Sequence, residues 1–194
     1  MDLLPLIKQC RSYRRFDETY PIDRKTLWDL VTFAQYSPTG GNLQPIKFWL
    51  SNSPNMNERI FPQLAWAGAL KDWDGPKEGE RPSAYIIILG DTQIRKHSGV
   101  DHGIAAQSIM LGAAERGLGG CMIGSIKREA LRRILNIPER FEILLVLALG
   151  KPAEIVVTES LRIGGDINYY RDENNIHHVP KRSLEELIIN DVSK

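Results

Sequence analysis

Residues 141–150 read "FEILLVLALG", and from Ile143 to Leu149 the run is apolar without interruption. A strand with one wet face would alternate apolar and polar residues, so a run apolar at both parities asks for cover on both faces. "AYIIILG" at 84–90 has the same character and is rich in Ile. Two such strands put a sheet in the middle of the fold with helices packed on it. The run is also far short of the roughly 20 apolar residues that span a bilayer.

Helical and loop signals fill the space around these strands. After Asp23, a good N-cap, Leu27, Leu30, Val31 and Ala34 recur at helical spacing until "SPTGGN" breaks the pattern. "IKFWLS" at 46–51 reads as a strand, a helix is expected from about Asn57 to Leu70, and a polar Gly/Pro-rich loop covers 72–82. Asp101 is placed to cap a long helix that Gly117 stops, "LGGCMIGS" gives a short strand, and Ser125 is placed to cap a helix through about Asn136. Ser183-Leu184-Glu185-Glu186 fits a capping box opening a last helix through about Asn190. No repeat or linker divides the chain, so residues 1–194 are expected to form one domain.

Composition narrows the partners. The 194 residues carry 25 Lys and Arg against 24 Asp and Glu, a formal net charge of +1, so no overall field favours nucleic acid or anionic lipid. The start, "MDLLPLIKQC", has no signal-peptide pattern, and a cytoplasmic location is expected. Cys10 and Cys121 suggest buried free thiols rather than a disulfide framework. His97, His102, His177 and His178 do not fall at metal-ligand spacing, and no metal is expected.

Against that neutral background three segments concentrate unusual chemistry. "RSYRRF" at 11–16 supplies Arg11, Ser12 and Arg14, the forked cations and hydroxyl that suit a phosphate dianion. Lys181 and Arg182 precede a helix N-terminus, which also favours an anion. "SPTGGNLQP" at 37–45 offers backbone that can approach a flat ligand, with Asn42 and Gln44 as paired donor and acceptor groups for a heterocycle edge. Singly, each has a plain alternative: a solvated basic turn, a cap with surface charges, a loop after a helix. No G-x-G-x-x-G follows a strand and no P-loop is present, because "GLGGCMIG" reads helix to strand.

Taken in order, "RSYRRF", "AQYSPTGGNLQPIKFWL", "DHGIAAQSIMLGAAERGLGGCMIGSI", "NIPERFEILLVLALGKP" and "PKRSLEELI" resemble the nitroreductase family of flavin mononucleotide (FMN) enzymes across nearly the whole chain. The resemblance implies an α+β three-layer sandwich whose central mixed, mainly antiparallel sheet is flanked by helices. It implies an intertwined homodimer with two FMN sites at the subunit interface. Arg11, Ser12 and Arg14 match the segment at the phosphate, ribityl chain and pyrimidine side of the ring, and Lys181 and Arg182 match the C-terminal pair at the phosphate. Pro38, Thr39, Gly40, Asn42 and Gln44 match the loop beside the isoalloxazine, with Pro38 to Gly40 expected from the partner subunit. Ile123 and Gly124 match the segment facing flavin N5.

The implied activity is hydride transfer from NADH or NADPH to flavin N5, then to a nitroaromatic, a quinone or a similar conjugated electrophile entering the same space in a ping-pong cycle. No side chain is expected to act as a nucleophile, and Arg14 is expected to tune the flavin electrostatically. A protein that binds or senses FMN without turnover is the alternative. Three departures stand out. Cys10 occupies a position where many relatives carry Arg, with Arg15 a candidate replacement. The stretch 52–82, with Trp66 and Trp73, reads either as a substrate lid or as core. The tail at 160–180 reads either as a partner-wrapping extension or as an ordered surface loop.

Overall fold

The computed structural model describes residues 2–190. Helix α1 (Leu3–Gln9) leads through an extended arm to the short strand β1 (Phe16–Asp17). Asp23 then caps α2 (Arg24–Gln35) by accepting the Thr26 N–H, and Leu27, Leu30 and Ala34 face inward as the spacing predicts. β2 (Ile46–Ser51), β3 (Ala84–Asp91) and β5 (Phe141–Pro152) follow the three apolar stretches closely.

All eight residues of β3 are buried, which fits its lack of alternation. The strand order is β1-β5-β3-β2, with β4 (Gly119–Ile123) also on β5, and every pairing in this sheet is antiparallel. One face carries Ile86, Ile88, Leu147 and Leu149 against α2 and α4 (Asp101–Glu115). The other carries Tyr85, Ile87, Val146 and Ala148 against α3 (Pro54–Ile60) and α5 (Arg128–Leu135). This is the expected three-layer α+β sandwich. Each fully buried Ile of β3 contributes about 1.5–3 kcal/mol through the apolar surface it removes from water.

Four local expectations are corrected. The helix expected over 57–70 is α3 at Pro54–Ile60 followed by a single 3₁₀ turn, because Pro54 is preset for a first turn and Pro62 has no N–H to continue. Asp101 does not cap α4; Val100 holds that place, and the Asp101 carboxylate instead accepts the Gly40 N–H at 3.0 Å. Ser125 does not cap α5 either. Its carbonyl accepts the Ala65 N–H and Ile126 bridges to Leu64, so the helix can open only after Lys127. The last helix, α6, is limited to Leu184–Leu187; Ser183 caps it as predicted, while the Glu186 carboxylate turns to Arg182 at 2.9 Å.

Beyond β5 a small second sheet forms from β6 (Val156–Ser160), β7 (Tyr170–Arg171) and β8 (His177–Lys181), with β8 parallel to β6 and antiparallel to β7. It packs back on the arm of its own chain. Among the described residues, no helix is long and apolar enough to cross a membrane.

Candidate active site

The arm between α1 and β1 runs beside β4: Ser12 bridges Gly120, and the Tyr13 N–H donates to the Gly120 carbonyl at 2.9 Å. Glu154, just past β5, fixes the arm from below. Its carboxylate, only 2% exposed, accepts the backbone N–H groups of Arg14 and Arg15 and a 3.0 Å ion pair from Arg171. The Arg171 guanidinium lies 4.3 Å from the Trp73 ring, and Trp66 is part of the core, so both tryptophans are packed rather than exposed.

Arg14 sits over this base and is buried. One nitrogen donates to the Ser12 carbonyl and to His177 Nε2, each at 3.2 Å, and the guanidinium stacks 4.5 Å from the Tyr169 ring. Neither Arg14 Nε nor Arg11 Nε has an acceptor among the described residues. His177 is fully buried, and burial first, then the Arg14 charge, push its pKa down to about 4 while Glu154 pulls the other way. Its neighbour His178 points the opposite way, between Asp172 and Glu159, whose hydrogen bonds raise its pKa.

The second predicted segment forms a strained loop. Gly41, Asn42 and Gln44 all have φ between 53° and 61°, a conformation that costs non-glycine residues on the order of 1 kcal/mol each. Asp101 holds Gly40, and Ser108 on α4 receives the Ser37 hydroxyl at 2.7 Å. Gln44 donates to the Asn42 side chain at 3.3 Å, so the two amides present one edge. Ser37, Pro38, Thr39 and Gln44 line a cavity of about 320 Å³ with Trp28 and Phe48.

The remaining predicted residues are dispersed. Ile123 is buried at the end of β4, and a side chain built on Gly124 would meet nothing within 4 Å. Lys181 and Arg182 are exposed, Arg182 being paired with Glu186. Lys181 lies four residues beyond His177, about 13 Å along β8 at the usual strand rise. Arg15 does not stand in for the missing Arg at position 10, since it is directed to Glu80 at 3.6 Å and to Trp73, while Cys10 itself is buried in the core.

Within one chain the arm and the 37–45 loop lie at opposite corners of the sheet. Ser12 shares a row with Gly120, Leu149 and Ala84, whereas Pro45 meets Asp91 at the far end of β3, about 20 Å along the strands. Sequence reasoning missed Glu154, Tyr169, Arg171 and His177. Strand alternation through "IHHVPK" was the one available signal, since it must turn one of the two adjacent histidines inward.

A sequence model of the nitroreductase family matches residues 7–151. A putative NADH dehydrogenase/NAD(P)H nitroreductase of Methanothermobacter thermautotrophicus is 30% identical over 168 residues, covering 83% of each chain. The putative NAD(P)H nitroreductase YodC of Bacillus subtilis is 24% identical, covering 76% of this chain and 88% of its own. Among solved structures, an FMN-dependent nitroreductase of Clostridium difficile R20291 has the same fold, with a TM-score of 0.64 at 19% identity, covering 78% of this chain and 88% of its own. With a family match over most of its length, the chain belongs to the nitroreductase family and is an enzyme of the oxidoreductase kind.

Proposed function

We propose that this protein is a homodimeric, FMN-dependent NAD(P)H oxidoreductase that reduces a nitroaromatic, a quinone or a similar conjugated electrophile. The observation that carries the reading is the charge around Arg14. Glu154 is taken up by the Arg171 guanidinium and by the backbone N–H groups of Arg14 and Arg15, Arg15 turns its side chain to Glu80, and among the described residues the Arg14 guanidinium has no anionic side chain on it. A buried cation without an anion calls for one from outside.

The donor set fits FMN. The guanidinium groups of Arg11 and Arg14, the exposed Ser12 and the exposed Lys181 would hold the phosphate and the pyrimidine side of the ring. Pro38, Thr39, Gly40, Asn42 and Gln44 would line the ring, with Ile123 and Gly124 at its N5 edge and Arg182 at the phosphate. When bound, FMN supplies hydride acceptance from NADH or NADPH and donation to the acceptor. Arg14 stabilises negative charge on the pyrimidine side by a fixed, desolvated cation. Donor and acceptor use one face in turn, which gives ping-pong kinetics.

The separation of the arm from the loop supports the dimer, because two copies can bring one chain's arm to the other's loop where a single chain cannot. The purified full chain is expected to absorb in the flavin bands, to bleach with NADH or NADPH under anaerobic conditions, and to regain colour with nitrobenzoate or benzoquinone. Flavin that binds but never bleaches would instead mark a storage or sensing protein. A colourless chain after incubation with FMN rejects both.

A further inference from the structure

We propose that His177 is a positioning residue, which with Tyr169 seats Arg14 toward the cofactor and does so without cancelling its charge. The inference rests on the reading of Arg14 as the electrostatic partner of FMN.

The proton inventory comes from geometry. A guanidinium has only donors, so the 3.2 Å contact from Arg14 Nη1 requires a lone pair on His177 Nε2. The ring proton must then sit on Nδ1, which is buried and has no partner among the described residues. That tautomer is neutral. The Tyr169 ring closes the arrangement, its centroid 4.5 Å from the guanidinium and 5.2 Å from the imidazole, to which it is tilted by 42°. The groups facing His177 are Arg14 from the arm, Glu154 after β5, Arg171 on β7, and His178 beside it on β8. The local carboxylate, Glu154, is taken up by backbone N–H groups and by Arg171.

The choice of residue has a physical consequence. A carboxylate at position 177 would accept the same hydrogen bond, but it would neutralise the field that Arg14 projects at a ligand. An apolar residue would leave the guanidinium unheld on that side. A neutral ring nitrogen both fixes and preserves the charge. His177 is itself fixed by its backbone, donating to the Ile155 carbonyl at 2.9 Å, so the small C-terminal sheet sets the position of the N-terminal cation.

Two measurements on the full chain test this. In the wild-type protein at pH 7, nitrogen-15 NMR of His177 should show the neutral ring protonated at Nδ1; an Nε2–H ring or an imidazolium overturns the proposal. With FMN bound, spectroelectrochemistry should give His177→Gln the wild-type midpoint potential, because the neutral acceptor is kept. His177→Glu should lower the ratio of reduced to oxidised flavin at a fixed potential about tenfold, a fall of about 30 mV for a two-electron couple. His177→Leu should lower it only while Arg14 is present, so that Arg14→Ala and the double variant share one potential. If FMN binds every variant with an unchanged potential, His177 has no positioning role. If wild-type protein binds no FMN, the functional reading falls and this inference falls with it, a result distinct from the first.

Discussion

Glu154 and Arg171 meet at 3.0 Å with side-chain exposures of 2% and 10%, and the same carboxylate holds two backbone N–H groups of the N-terminal arm. Removing it strands a buried guanidinium and frees the arm. Glu154→Gln is expected to cost about 3–5 kcal/mol in urea unfolding. Arg171→Met should cost less, because the carboxylate keeps its N–H partners.

Arg14→Ala removes a buried cation that, among the described residues, has no anionic partner on its guanidinium. A charge-assisted contact is worth about 1.5–3 kcal/mol, so FMN should bind roughly ten- to a hundredfold more weakly by fluorescence titration. The midpoint potential should fall as well. An unchanged affinity and potential would remove Arg14 from the site.

His177 also leaves a mark on stability. Its folded pKa of about 4 lies below the unfolded value near 6.5, so the unfolded chain binds the extra proton first. Stability is therefore retained above about pH 6.5 and falls as pH drops from there to about 4. His178 works in the opposite sense, since its pKa is raised: its contribution is present below the unfolded value and fades as pH rises through the folded one. The difference between wild type and His177→Gln isolates the first effect. Urea midpoints measured from pH 8 to pH 4 should converge toward the acid end as the wild type loses its advantage.

Gly120 in β4 and Gly124 just beyond it should respond differently to alanine. A Cβ on Gly120 would come within 2.7 Å of the Ala148 carbonyl and 2.8 Å of Leu149, so Gly120→Ala is expected to destabilise by about 1–3 kcal/mol. A Cβ on Gly124 would meet nothing within 4 Å, and Gly124→Ala should leave the thermal midpoint nearly unchanged.

Complementation tests the shared site. Asn42→Gly with Gln44→Gly removes both amides yet tolerates the left-handed backbone. If each site takes an arm from one chain and a loop from the other, a mixed dimer with Arg14→Ala contains one intact site. Co-refolding equal amounts should restore FMN binding to about a quarter of all sites, at concentrations where neither parent binds. No recovery would mean that each site is built from one chain.

The sandwich was legible because α2, β2, β3 and β5 each carry one period or one apolar run long enough to decide. Where sequence reading erred, a contact from far along the chain had overruled a local rule. Asp101 looks like a cap until Gly40 claims its carboxylate, and Ser125 looks like one until residues 64–65 claim its strand. Arg14 stood out in the sequence as part of a cationic cluster in an almost neutral chain. Its holders did not, because His177 is 163 positions away and only the turn of β8 brings it back.

That same distance imposes an order on synthesis. The arm leaves the ribosome well ahead of β8, and the His177 contact to Arg14 can form only once β8 has also emerged. At about 5–20 residues per second, the nascent chain waits roughly ten to thirty seconds between the two events. On the proposed role of His177, the seating of Arg14 for the pigment is complete only after β8 has been made, and chains stopped short of β8 lack that hold.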